Sequence, residues 1–180
     1  MGDIYSVLRQ LAGALAQLQS LGIIHTDLKP GNIMLVNDSK PLTVKIIDFG
    51  LACFESRVKV GSNAGTRWFK APELLLGLPF TGAIDVWALG CVAVKMFTGY
   101  HLYPGRSIYQ MLKFISETQG PFPDHMLDFG KKKKTVFHQR ELLDTQDKYH
   151  GETGGTQSNR FKSQDDLRQV RDQYSILRPG

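Results

Sequence analysis

The chain has 180 residues, 42% of them hydrophobic and 22% charged, with 22 Lys and Arg against 17 Asp and Glu for a formal net charge of +5. That is enough chain for one domain with a sizeable core, in the proportions of a soluble globular protein. Two cysteines, Cys53 and Cys91, are too few for a disulfide framework and do not stand in metal-ligand spacing. The longest apolar stretch, Val86 to Val94, is too short to span a bilayer and runs into Lys95. The N-terminus lacks the basic-then-apolar layout of a signal peptide. A soluble chain in the nucleus or cytoplasm, with reduced thiols and no membrane partner, is expected.

From the N-terminus, Ile4, Leu8, Leu11, Leu15 and Leu18 recur at steps of three and four residues, which predicts a helix with one apolar stripe. Asp3 is the expected N-cap and Gly22 the expected C-cap. Next comes "IIHTDLKPGNIMLV", residues 23–36, in which two apolar runs bracket His25, Asp27, Lys29, Pro30, Gly31 and Asn32. A packed core has no use for so many polar groups in one short loop. Ile33 to Val36 and Val44 to Ile47 read as two strands joined by a turn. Pairing them antiparallel brings Asn32, which enters the hairpin, next to Asp48, which leaves it.

Residues 50–82 are rich in Gly and Pro and carry no clear period, a pattern more often functional or mobile than filler, and residues 51–70 are expected to be weakly ordered. Ala83 to Thr98 is apolar nearly all round, as a helix buried inside a domain would be, with Gly99 ending it. Ser107 opens another helix whose apolar face is Ile108, Met111, Leu112 and Ile115. Beyond about residue 129 the order fades into a polar, Gly-rich stretch around 150–159, with a short amphipathic helix expected over Asp165 to Ile176. Charge is uneven: residues 1–130 hold 11 Lys/Arg and 10 Asp/Glu, and residues 131–180 hold 11 and 7. The run Lys131 to Lys134 is compatible with nucleic-acid binding or a nuclear address, but no aromatic or Arg-rich pattern joins it. It reads as a solvated basic loop, and nucleic acid is not an expected partner.

The polar loop has the makings of a phosphoryl-transfer site. Asn32 and Asp48 offer hard oxygens of the kind Mg²⁺ prefers, and Mg²⁺ is usually bound by few protein groups plus substrate phosphates. Lys29 places a cation two residues from the acid Asp27. An acid, a cation and an oxygen-rich metal site suit a reaction in which the protein mainly positions groups and neutralises charge.

At these residues the chain resembles the protein kinases. "HTDLKPGN" is similar to their catalytic loop, His-Arg-Asp-Leu-x-x-x-Asn. Asp48-Phe49-Gly50 resembles their metal-binding motif, and Ala71-Pro72-Glu73 the end of their activation segment. A lone Asp-Phe-Gly would be weak, whereas three motifs in the right order are specific. The resemblance implies that Asp27 orients the substrate hydroxyl or accepts its proton and that Lys29 steadies the transferring phosphoryl group. It implies that Asn32 and Asp48 hold Mg²⁺, that Met34 packs under the adenine of ATP, and that Thr66 braces the catalytic loop. Asp85 would tie the buried helix to the loop backbone. A core methionine and a helix-start acid also account for Met34 and Asp85 without any function.

"LLLGLPFTGAIDVWALGCV", "LYPG" and "FISETQGPFP" resemble the homeodomain-interacting protein kinases, a group near the dual-specificity tyrosine-regulated kinases. Thr26, where most kinases carry Arg, is in character for that group. The resemblance covers roughly residues 4–130. Several features depart from it. No glycine-rich phosphate loop, Val-Ala-Ile-Lys strand or regulatory helix precedes the catalytic loop in these 180 residues. No Arg obviously matches the family partner of Glu73. Gly31 replaces the usual Glu, and Asn63 stands where these relatives carry a phosphorylated tyrosine. Lys95 replaces a common acid and reads as a lysine snorkelling at the helix end.

The expected architecture is therefore mainly α: a kinase-like C-terminal lobe over residues 1–130 with a small β-hairpin and no N-terminal lobe, then a basic, partly flexible segment over 131–180. The expected function is that of a serine/threonine kinase using ATP and Mg²⁺ on protein substrates, seen as a partial catalytic domain. The alternative is a non-catalytic kinase-like binding module.

Overall fold

A computed structural model describes residues 2–37 and 42–129. The expected helix at 165–176, the Gly-rich stretch, the basic run Lys131 to Lys134 and the proposed boundary at residue 130 all lie outside these residues. Helix α1, Gly2–Ser20, buries Val7, Leu11 and Leu15. The stripe thus runs through Val7, with Ile4, Leu8 and Leu18 only half-buried at its margins. Asp3 lies inside the first turn, not at an N-cap before it. Gly22 closes the helix in the left-handed region, φ 65°, as the sequence suggested.

The hairpin forms as expected, within a residue at each end. Strand β2, Ile33–Asn37, pairs antiparallel with β3, Thr43–Ile46, with Ile33 opposite Ile46 and Met34 opposite Lys45. Gln10 of α1 ties this hairpin down. Its Nε2 donates to the Leu42 carbonyl (2.8 Å), and its Oε1 accepts from the Val44 N–H (3.2 Å). A second antiparallel pair was not foreseen: β1, Ile23–Ile24, against β4, Cys53–Phe54.

Residues 50–82 carry more structure than their composition suggested. Besides β4 they hold 3₁₀ turns at Glu55–Arg57 and Arg67–Phe69 and a short helix, α2, Pro72–Leu76. Pro72 sits in the first turn of α2, where its missing N–H costs nothing, and Gly77 ends the helix with φ 73°. Helix α3, Ala83–Thr98, buries Ile84, Asp85, Ala88, Cys91 and Val92. It is not enclosed on every side, because Val86 is 56% exposed. Lys95 donates from Nζ to the Gly99 carbonyl at the helix end (3.0 Å).

Helix α4, Ile108–Gln119, follows Ser107, whose Oγ accepts from the Gln110 N–H (3.1 Å). Gln110 reaches back in turn and accepts from the Arg106 N–H (2.8 Å), so the helix start satisfies its own donors. Its buried face is Met111, Leu112 and Ile115. A last short helix, α5, spans Asp124–Phe129. None of the helices among the described residues is long and apolar enough to cross a membrane.

The main core joins Leu15, Leu28, Phe69, Leu75, Val92, Met111 and Ile115, with Ile33 and Ile46 of the hairpin packed against it. A smaller cluster gathers Ile24, Ala71, Leu74, Phe80 and Ile84, and Trp87 touches both. The fold is mainly helical with two small antiparallel pairs, and the polar loop lies where α1, α3 and the hairpin meet.

The contrast along α3 is testable. Val92→Ala should lower the unfolding free energy by roughly 1–3 kcal/mol, since it opens a void in a closed core. Val86→Ala should stay within about 0.5 kcal/mol of wild type, as exposed positions do. Urea titrations of the two variants check the difference.

Candidate active site

The loop between β1 and β2 is held from below by α3. The Asp85 carboxylate is 4% exposed and accepts from the backbone N–H groups of His25 (2.7 Å) and Thr26 (2.9 Å). Burial pushes the Asp85 carboxyl above the usual carboxylate range, and the two N–H bonds pull the other way. Thr26 sits at φ 69°, a left-handed conformation that a β-branched residue rarely adopts. Its Oγ1 donates to the Leu51 carbonyl (2.9 Å), so the conformation is pinned from both sides.

His25 is fully buried. Its Nε2 lies 3.1 Å from the Ile47 carbonyl, and its Nδ1 accepts from the Asp27 N–H (3.3 Å). The tautomer protonated at Nε2 satisfies both contacts. The ring links the end of β3 to the backbone of Asp27 and meets Phe49 edge-on, 5.0 Å between centroids.

Asp27 is the meeting point. Oδ1 accepts from the Thr66 N–H and from Thr66 Oγ1, both at 2.7 Å. Oδ2 accepts from Lys29 Nζ (2.6 Å) and from Asn32 Nδ2 (3.3 Å). Lys29 also donates to Thr66 Oγ1 (3.1 Å). Burial alone would raise the Asp27 carboxyl, but the bonds from Lys29 and Thr66 outweigh it and hold the group below the usual range. Such a carboxylate is ionised near neutrality and is a weak base. It is better suited to orienting a hydroxyl than to removing its proton unaided.

Gly65 allows this arrangement. Its φ is 82°, and a Cβ there would lie 2.4 Å from the Thr26 carbonyl oxygen, closer than any side chain can come. The backbone of residues 65 and 66 therefore presses onto the loop.

The expected metal ligands differ in character. Asn32 is buried, and its Nδ2 is committed to the Asp27 carbonyl (2.9 Å) and carboxylate, which turns Oδ1 the other way. Asp48 is exposed, with φ 63°. The backbones do come together, since Ile47 N–H donates to the Asn32 carbonyl (2.9 Å). Asp48 Oδ1 accepts from the Gly50 N–H (3.2 Å), within its own turn. Gly50 leaves room for that turn: a Cβ there would stand 3.1 Å from Asp48 Oδ1. The described residues include no cluster of three or more His, Cys, Asp or Glu suited to a metal. One amide oxygen and one exposed carboxylate fit an ion that takes most of its oxygens from phosphate and water, as Mg²⁺ does.

Met34 is 47% exposed, on the hairpin strand one residue from the core-packed Ile33. Ala71, Pro72 and Glu73 open α2, and Glu73 Oε2 is buried without a hydrogen-bond partner. The sequence reading missed Gly65 and the link through His25. The only sequence signal for Gly65 is a glycine next to a threonine already singled out.

The depressed Asp27 carboxyl sets a pH dependence. Its folded value lies below its unfolded one, so its stabilisation is present above the unfolded value, about 4, and is lost as pH falls through the folded value. Asp27→Asn should therefore be less stable than wild type by about 2 kcal/mol at pH 7, the scale of hydrogen bonds to a charged group. The gap should close as pH falls below about 4. Denaturant titrations of both proteins from about pH 3 to 7 check the closure.

The comparisons with known proteins agree with this geometry. The protein kinase domain family profile matches residues 1–146. The chain is 46% identical over 160 residues to homeodomain-interacting protein kinase 2 of Mesocricetus auratus, which covers 84% of this chain and 14% of that protein. It is 47% identical over 136 residues to homeodomain-interacting protein kinase 1 of Mus musculus, covering 75% of this chain and 11% of the relative. With homeodomain-interacting protein kinase 1 of Caenorhabditis elegans the identity is 43% over 157 residues, covering 87% and 18%. The chain thus spans less than a fifth of the length of these three relatives. With the Asp27 loop, the Asp48 turn and the Ala71–Glu73 helix start already in place, the chain belongs to the protein kinase domain family and is closely related to the homeodomain-interacting protein kinases.

Proposed function

We propose that this chain supplies the catalytic floor of a protein serine/threonine kinase, with Asp27 orienting the acceptor hydroxyl of a protein substrate. The observation that carries the reading is the Asp27 carboxylate, gripped by Lys29, Asn32 and Thr66 at 2.6–3.3 Å. Its acceptor positions are all in use. An incoming hydroxyl must therefore replace one donor, and Lys29, with a side chain 31% exposed, is the one placed to swing away. Its ammonium then faces the transferring phosphoryl group, while the hydroxyl proton is directed at Oδ2. Asn32 Oδ1 and the Asp48 carboxylate would hold Mg²⁺, and Met34 would lie under the adenine of ATP. Bound Mg²⁺-ATP supplies the phosphoryl group and neutralises the charge that develops on it.

These 180 residues include no glycine-rich loop to cover the phosphates and no strand lysine to pair them. The Asp48 side of the site is open to water, where each charge contact is weak. Loss of positioning alone removes several orders of magnitude in rate. Residues 1–180 by themselves are therefore expected to transfer no measurable phosphate from Mg²⁺-ATP to a basic protein substrate.

The proposal is tested with the full gene product and its Asp27→Asn variant in the same assay. Phosphate on serine or threonine that the variant loses by at least about a thousandfold supports it. Equal incorporation by both removes it. A gene product inert in both forms leaves the non-catalytic module as the better reading. Activity of residues 1–180 alone, abolished by Asp27→Asn, would show that the floor suffices.

A further inference from the structure

Residues 48–51, which carry the Asp48 carboxylate, are all exposed, so burial does not hold their turn. Hydrogen bonds flank it instead, and they come from two adjacent residues of the acid loop. Upstream, His25 Nε2 lies 3.1 Å from the Ile47 carbonyl, and the Ile47 N–H donates to the Asn32 carbonyl (2.9 Å). Downstream, Thr26 Oγ1 donates to the Leu51 carbonyl (2.9 Å). Among the described residues, that is the one side-chain hydrogen bond reaching residues 48–51 from outside their own turn. Inside the turn, Asp48 stands at φ 63°, and the Ala52 N–H closes on the Phe49 carbonyl (3.0 Å).

The Leu51 bond is governed from the Thr26 side. Thr26 is only 6% exposed, so its hydroxyl has little water to turn to if the Leu51 carbonyl moves away. A buried donor left without an acceptor costs more than the bond itself contributes. The Leu51 carbonyl belongs to an exposed residue and would lose far less. Thr26 is itself fixed, because its N–H donates to Asp85 Oδ1 (2.9 Å) beside that of His25 on Oδ2 (2.7 Å). Its φ of 69° is an outlier for a β-branched residue, and strain of this kind persists where the surroundings over-determine it. Glycine would take the same backbone without strain, but it has no hydroxyl to offer.

We propose that Thr26 is a positioning residue: its hydroxyl locks the downstream end of the Asp48 turn to the acid loop. Asp27 follows Thr26 directly in the chain, so the acid and the turn that carries Asp48 share one anchor, the Asp85 carboxylate. The Asp48 carboxylate stays free to adjust, on a backbone fixed at both flanks. With the Leu51 bond gone, the turn would be tied at Ile47 alone, and the distance from Asp48 to Asp27 would vary with every motion of residues 48–52. The inference rests on the kinase reading only in taking Asp48 as a metal ligand. The lock itself is a property of the fold.

The first test reads amide hydrogen exchange by NMR on residues 1–180, without nucleotide. Thr26→Val removes the hydroxyl and keeps the shape, and Thr26→Ser keeps the hydroxyl. Thr26→Gly removes hydroxyl and strain together, and covers the case in which Thr26→Val does not fold. In the Val and Gly variants the Ala52 amide should exchange about tenfold faster than in wild type, the scale of one net hydrogen bond, while the Ile47 amide keeps its rate. Thr26→Ser should restore the Ala52 rate. Equal acceleration at Ile47 and Ala52 would mean that the whole acid loop had loosened, and would overturn the proposal. So would an unchanged Ala52 rate, or a serine that does not restore it. The second test uses the full gene product. Thr26→Val should raise the free Mg²⁺ needed for half-maximal transfer by about tenfold, with the peptide KM unchanged, and Thr26→Ser should reverse the shift. An active gene product whose Mg²⁺ dependence does not move would overturn the positioning role. One that transfers no phosphate, with the Ala52 difference present, keeps the lock and removes only the catalytic reading.

Discussion

The Asp85 carboxylate is the constraint on which the rest of the site depends. It brings a charge to the buried start of α3 and spends it on two backbone N–H groups, those of His25 and Thr26, which have no partner in a sheet or helix. Withdrawing a charge from water is expensive, and the raised carboxyl shows that the bonds do not fully offset burial. What they provide is position. Thr26 stands in a left-handed conformation that disfavours an L-residue by about 1–2 kcal/mol. It stays there because Asp85 holds its N–H and Leu51 its hydroxyl. That turn directs the following residue, Asp27, away from the core and toward Thr66. An apolar residue of similar shape at 85 would remove the buried charge but orphan both donors, so the ionic solution is the one the backbone requires.

Asp27 then joins two pieces of chain that share no strand or helix. Thr66 comes from 39 residues away, Lys29 and Asn32 from its own loop. The close approach of Gly65 to the Thr26 carbonyl means that the brace and the strained turn form one contact surface. Any side chain at 65 would push the segment back and lengthen the bonds to Asp27. The conformation of residues 63–70 and the charge environment of Asp27 are therefore one property. Anything that shifts this segment also changes the number of donors on the carboxylate.

What the sequence made legible follows from the range of each interaction. Helices α1, α3 and α4 announce themselves by local periodicity, and α4 also by Ser107, which caps it. The hairpin is local too. The pair β1–β4 was not legible, because two residues at each of two sites some 30 positions apart carry no alternation. The all-apolar sequence of α3 could not say that Val86 faces outward, since burial is decided by the partners that arrive and not by the helix itself. In the site, Asp27, Lys29 and Asn32 could be read from spacing, whereas Thr66 and Asp85 were reached only through resemblance. Strand pairing made the approach of the Asn32 and Asp48 backbones legible, but not the bond that Asp48 Oδ1 makes within its own turn.

The unequal hold on Asn32 and Asp48 bears on how such a site would work. Asn32 is buried, and both its amide bonds run to Asp27, so the direction of its oxygen is set by the same network that sets the acid. Asp48 is exposed and held at one oxygen by a single bond of 3.2 Å, on a left-handed residue whose neighbour Gly50 imposes no side chain. On the proposed reading the two metal ligands are therefore unequal, one fixed relative to the acceptor and one free to adjust. A cation bound chiefly by phosphate oxygens needs one rigid reference if the phosphoryl group is to meet the hydroxyl in line. It also needs one ligand that can follow the nucleotide as it enters and leaves. Were both fixed as firmly as Asn32, release of the product nucleotide would have to break the network around Asp27. Were both as loose as Asp48, nothing would register the phosphate against the hydroxyl.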